Sequence, residues 1–141
     1  MPEGSRLTPD QEELARRIDE AFNRGDFDAV LALYAPDVVW DASNVGWGFF
    51  EGREEVRGLF EDWLGAYQDF RQQTVEAHNF GHGVTLSVLD QRGRPLSSSA
   101  VLAERFAIVW TWREGLVERA TPYNDIDQAR ADAERFAKER E

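Results

Sequence analysis

The stretch Phe106 to Asp125, FAIVWTWREGLVERATPYND, decides the fold. It reads as two strands about a turn at Glu114-Gly115, then a stop before a last helix. In the first strand Phe106, Ile108, Trp110 and Trp112 share one face and Ala107, Val109 and Thr111 the other, because successive side chains alternate. An antiparallel strand commonly has one wet face. Here both faces are apolar, so one should cover a core or pocket and the other a second surface, expected to be another subunit. A two-residue turn would set Trp112 opposite Val117, Trp110 opposite Arg119 and Phe106 opposite Tyr123.

Working outward, Ser97 to Trp112 reads as one long strand with Leu116 to Asn124 as its partner. Phe70 to Phe80 and Val84 to Arg92 read as two further strands, joined by the turn Gly81-His82-Gly83. Thr8 to Asn23 reads as a helix, with Thr8 and Gln11 spaced as a capping box and Pro9 at the first helical position. Its apolar stripe is Leu14, Ile18, Ala21 and Phe22. Asp26 can cap a short second helix, and a strand follows from Val38 to Ala42. Trp47 to Phe50 reads as a short aromatic arm. Arg53 to Tyr67 is a third helix, with Val56, Phe60, Trp63 and Tyr67 on its inner stripe. Asp125, three residues before Gln128, can cap a last helix from Ile126 to Lys138. The fold class expected is α+β: a curved mixed or antiparallel sheet wrapped round three to four helices, with a conical cavity between them. The 141 residues make one domain, with residues 1–6 and 138–141 expected to fray.

Composition narrows the function. There is no cysteine, which removes disulfides, thiolate metal sites and a cysteine nucleophile. The net charge of −11 and the lack of a dense basic patch argue against nucleic acid and anionic membranes as partners. No apolar run approaches the roughly 20 residues that span a bilayer, and no signal-peptide pattern opens the chain. The expected location is cytoplasmic. His78 and His82 straddle a glycine turn without a completing carboxylate, so no metal is implied. No glycine-rich loop precedes a helix to cradle a phosphate, and no cofactor is implied.

Four strings occur in order: Ala21-Phe22-Asn23-Arg24-Gly25-Asp26-Phe27-Asp28, Leu33-Tyr34-Ala35-Pro36-Asp37-Val38-Val39-Trp40, Phe50-Glu51-Gly52-Arg53-Glu54-Glu55-Val56, and Gly115-Leu116-Val117-Glu118-Arg119 running to Tyr123-x-Asp125. Together they resemble the nuclear transport factor 2-like superfamily, in particular its SnoaL-like polyketide-cyclase branch. The resemblance runs from about Leu7 to Phe136 and implies the ketosteroid isomerase-like cone fold. That fold hosts isomerases, cyclases, dehydratases, hydrolases and non-catalytic binding modules. The family's catalytic positions are not filled in kind. The isomerase tyrosine falls at Ile18, its aspartate base at Ala42 beside Asp41, and its second aspartate near Ile108. The cyclase acid/base aspartate falls near Pro122.

The candidate site follows from parity within the cone. Tyr34, Trp40, Phe60, Trp63, Tyr67, Ile108 and Trp110 are the candidate ligand-binding wall, against the plainer reading that these side chains only fill the core. Asp41 and Glu104 are candidate bases, each balanced by a surface ion-pair reading. Arg119, Tyr123 and Tyr34 are candidates to polarise a substrate oxygen. The expectation is a small hydrophobic, ring-bearing ligand handled by general acid–base chemistry without a cofactor. The rival is a ligand-binding or dimerisation module with no chemistry. A homodimer through the outer sheet face is expected from Val101, Ala107 and Val109. Whether an ionisable side chain lines the cavity separates enzyme from inert module.

Overall fold

The computed structural model describes residues 5–141. The expected fraying of residues 1–4 lies outside the described residues. Ser5–Arg6 instead form a two-residue strand, β1, paired with the residues around His78.

Helix α1 spans Pro9–Asn23 and begins at the capping box. Thr8 Oγ1 accepts from the Gln11 N–H (3.2 Å), and Gln11 Oε1 accepts from the Thr8 N–H (2.8 Å). Two of the helix's otherwise unpaired N-terminal donors are thereby satisfied. Asp26 caps α2, Phe27–Leu31. Strand β2 covers Tyr34–Ala42, starting four residues earlier than the apolar pattern indicated. A 3₁₀ turn at Ser43–Val45 leads into β3, Gly48–Glu51, and then α3, Gly52–Gly65. Three long strands follow, β4 (Tyr67–Gly81), β5 (Val84–Pro95) and β6 (Leu102–Arg113), then β7 (Leu116–Tyr123). Helix α4, Ile126–Glu139, starts at Asp125, whose side chain accepts from the Gln128 N–H. The seven strands form one curled sheet in the order β1-β4-β5-β6-β7-β2-β3. Only β2 and β7 run parallel, so the sheet is mixed.

The helices divide between the two faces. Phe22 of α1, Phe27 and Val30 of α2 and Phe60 of α3 join Tyr34, Trp40 and Ile108 in the core of the concave face. Helix α4 lies on the other face. Its small residues Ala129, Ala133 and Ala137, four apart on one stripe, seat the helix on Phe80, Val84, Leu86, Ala107 and Val109. The second apolar face of β6 is therefore covered by a helix of the same chain, leaving Ala107 and Val109 0% and 1% exposed. Arg140, in the stretch expected to fray, donates to the His82 carbonyl (2.8 Å), to the Trp112 carbonyl (2.6 Å) and to Glu118.

The hairpin at Glu114-Gly115 is a two-residue turn, with both residues in the left-handed region (φ 54° and 81°). Arg113 pairs with Leu116 and Trp112 with Val117, in agreement with the sequence reading. One step further the register shifts, because Glu118 is an extra residue in β7. Thr111 pairs with Arg119, Trp110 with Ala120, and Ala107 with Tyr123. A one-residue bulge exchanges the faces of everything beyond it. Arg119 and Tyr123, expected inside the cone, thus point to the α4 side.

Candidate functional site

A cavity of about 480 Å³ opens between α1, α3 and the concave face of the sheet. Its aromatic wall is built by alternation along two neighbouring strands. Trp110 and Trp112 project from the inner parity of β6. Each donates its indole N–H diagonally to β5, Trp110 to Ser87 Oγ and Trp112 to Thr85 Oγ1, both at 3.0 Å. Trp63, from α3, donates in the same way to Gln91 Oε1 (3.0 Å). Thr85, Ser87 and Gln91 share one face of β5, so a single strand satisfies the polar edge of three indoles. Trp40 crosses Trp110 edge-on, with ring centroids 5.8 Å apart, and Phe60 at 5.2 Å.

Among the described residues, two side chains with an ionisable oxygen sit in this wall. Tyr34 is 1% exposed, packed between Trp40 and Trp110 (6.4 and 6.3 Å between centroids). Burial pushes its phenol far above its ordinary value, so the hydroxyl keeps its proton and acts as a donor. Among the described residues its backbone carbonyl is held by Arg53, while burial is the sole influence on its hydroxyl, which takes part in no hydrogen bond.

The second is Asp19, which sequence reasoning missed. It lies on α1 beside Ile18, one position off the apolar stripe, is 8% exposed and lines the cavity. Its carboxylate accepts from the Thr74 N–H (2.7 Å) and from Gln72 Nε2 (3.2 Å). Asn23, one turn on, exchanges two bonds with the Gln72 backbone, so α1 is clipped along β4 at two successive turns. Desolvation raises the Asp19 carboxyl above its ordinary value, opposed by the bonds from Thr74 and Gln72. A carboxyl desolvated at the wall of an apolar pocket is placed to take or give a proton. The signal for it was Asp19 and Asn23 at i, i+4 spacing on the flank of the stripe.

The other candidates are dispersed. Tyr34, Trp40, Phe60, Trp63, Ile108 and Trp110 all line the cavity. Tyr67 does not, because α3 ends at Gly65 and Tyr67 starts β4. It lines a separate hollow of about 280 Å³ with Glu104, Gln91 and the far sides of Trp40 and Trp63. Glu104 has the inner parity expected of it but is exposed, too near the strand's start to reach the main cavity. Asp41 forms an ion pair with Arg119 (2.5 Å) and accepts from Ser43 Oγ (2.6 Å), and neither Asp41 nor Arg119 lines the cavity. Tyr123 donates to Asp132 of α4 (2.6 Å). Burial, then this bond, raises its phenol well above the ordinary value. Asp41, Glu104, Arg119 and Tyr123 therefore do not converge on the cavity. His82 lies at its mouth, and His78 sits 3.2 Å from Glu76.

Solved structures share this architecture. A ketosteroid isomerase-like protein from Catenulispora acidiphila, in complex with trimethylamine, superposes with a TM-score of 0.70 at 16% identity, covering 83% of this chain and 86% of that one. TerC co-crystallised with polyporic acid gives 0.69 at 18% identity, over 88% and 96%. A polyketide cyclase-like protein from Xanthomonas campestris gives 0.61 at 23% identity, over 86% and 94%. At such identities the likeness establishes the fold alone. No curated protein matches the chain in sequence. Residues 15–120, from the first helix through the last strand, match the SnoaL-like domain model, and the chain belongs to the SnoaL-like domain family.

Proposed function

We infer that the chain binds a small hydrophobic, ring-bearing molecule in the main cavity and moves a proton on it by acid–base chemistry without a cofactor. The observation that carries this reading is the pairing of a desolvated carboxyl, Asp19, with the unpartnered hydroxyl of Tyr34 on the wall of one aromatic cavity. Asp19 takes a proton from a carbon beside a carbonyl, and Tyr34 hydrogen-bonds the oxygen on which charge develops. The reactions that fit are isomerisation, cyclisation and dehydration. The fold neighbours crystallised with trimethylamine and polyporic acid support a small-molecule ligand.

The test is exchange at the α-carbon of a bicyclic ketone. With 2-tetralone in deuterated buffer, the chain should speed deuterium incorporation over the buffer rate, and Asp19→Asn should remove the acceleration. Saturable binding of 2-tetralone without any acceleration would instead support the second reading, a binding module without chemistry. One observation favours that second reading: both Asp19 oxygens already hold α1 to β4.

A further inference from the structure

Asp19 is a buried acid that no cation answers among the described residues. Its partners are neutral, a backbone N–H and a side-chain amide. Among the described residues the charge that influences it is that of Glu20, which repels. A buried carboxylate is ordinarily paired with a positive group. Among the described residues no arginine or lysine lines the cavity around Asp19. Its other ionisable wall residues are Tyr34, held neutral by burial, and His82 at the mouth.

Much of the rest of the wall presents π surface, from Phe22, Trp40, Phe60, Trp63, Trp110 and Trp112. The indole N–H groups of Trp63, Trp110 and Trp112 are already spent on Gln91, Ser87 and Thr85. They are therefore not offered to a ligand acceptor. What those rings offer is their electron-rich faces, which attract a cation. An anionic ligand would meet Asp19 and these faces with no arginine or lysine among the described lining residues to balance its charge. The chain's net charge of −11 also favours the approach of a cation over an anion.

We propose that the ligand of the main cavity carries a cationic nitrogen on its apolar frame, with Asp19 as the counter-ion and the Trp40, Trp63 and Trp110 rings as the surrounding wall. This rests on the reading of the cavity as a ligand site. It holds whether Asp19 also moves a proton or only balances charge.

A matched pair of probes tests it. Phenyltrimethylammonium and tert-butylbenzene have nearly the same shape and differ by one positive charge. Their binding to the full chain is followed by quenching of tryptophan fluorescence and by calorimetry at one fixed ionic strength. The cation should bind about tenfold or more tightly than the hydrocarbon. Asp19→Asn, which keeps an acceptor for the Thr74 N–H, should bring the two within about threefold of each other. Equal binding, or tighter binding of tert-butylbenzene, by the unaltered chain would overturn the cationic class and leave the apolar ligand site standing. Binding of neither probe would overturn both. The comparison on the unaltered chain decides the matter even if Asp19→Asn fails to fold.

Discussion

The Asp19 carboxylate accepts the backbone N–H of Thr74 at 2.7 Å, joining the first helix to the fourth strand at the wall of the cavity. Removing it by Asp19→Ala leaves that donor unpaired, and a loss of about 1–3 kcal/mol of stability is expected. Burial raises this carboxyl above its ordinary 3.8. A carboxyl with a raised folded pKa binds its proton more tightly in the folded chain than in the unfolded one. Its stabilising contribution is complete below pH about 3.8 and is lost as pH rises through the folded value. The melting temperature of the unaltered chain minus that of Asp19→Asn should therefore increase as pH is lowered from 7 toward 4. Calorimetric scans across that range check this, and a gap that shrinks on acidification would contradict it.

Tyr34→Phe separates function from stability. Among the described residues the hydroxyl has no hydrogen-bond partner, so its removal should change stability by less than about 1 kcal/mol. If Tyr34 holds a developing oxyanion, the same change should slow α-proton exchange on 2-tetralone by roughly ten- to a thousandfold. A stable variant with an undiminished exchange rate would remove Tyr34 from the chemistry.

The Arg119–Asp41 pair is expected to be silent toward ligands. Arg119→Gln should leave probe affinity unchanged and cost less than about 1 kcal/mol, since the guanidinium side chain is 40% exposed. Asp41→Ala should cost more, about 1–3 kcal/mol, because the Ser43 N–H and hydroxyl also lose their acceptor. A fall in affinity for Arg119→Gln would show that the site extends across the sheet.

Gly83 has φ +77°, and a Cβ there would lie 2.7 Å from the Trp112 carbonyl oxygen. Its own carbonyl accepts the Trp112 N–H at 2.7 Å. Gly83→Ala should therefore destabilise by about 1–3 kcal/mol and loosen the turn at the cavity mouth. Chemical denaturation measures the first effect, and faster amide exchange at Trp112 the second.

A homodimer through the outer sheet face remains a proposal, and its surface is now narrower. Ala107 and Val109 lie under α4, whereas Val101, of the same parity just before β6, remains 56% exposed. Light scattering at micromolar concentration should give twice the 16.1 kDa chain mass, and Val101→Glu should halve it. A 16.1 kDa particle from the unaltered chain would end the proposal.

What the sequence disclosed followed from short-range chemistry. The Thr8–Gln11 capping box, the Asp125 cap and the Glu114-Gly115 turn each involve residues within three positions of one another, and each forms as read. The aromatic wall was legible for the same reason, since alternation along β6 fixes Ile108 and Trp110 together. What stayed hidden depends on long-range pairing. The extra residue at Glu118 leaves no mark in composition, yet it turns Arg119 and Tyr123 to the opposite face. The apolar outer parity of β6 stated that something covers it, but an alanine stripe on a helix beyond the hairpin was as good a cover as a second chain. Asp19 escaped because the stripe was read for its apolar members, while its partners Gln72 and Thr74 lie more than fifty residues away.

The three indoles anchored on Thr85, Ser87 and Gln91 place the shape of the cavity under the control of one strand. Each acceptor is a short polar side chain that could be exchanged for another without disturbing the backbone ladder. A family built on this plan can re-aim its aromatic walls one at a time and leave the helices untouched. Divergence of ligand choice would then be recorded along β5, where Thr85 and Ser87 both line the cavity and steer its rings.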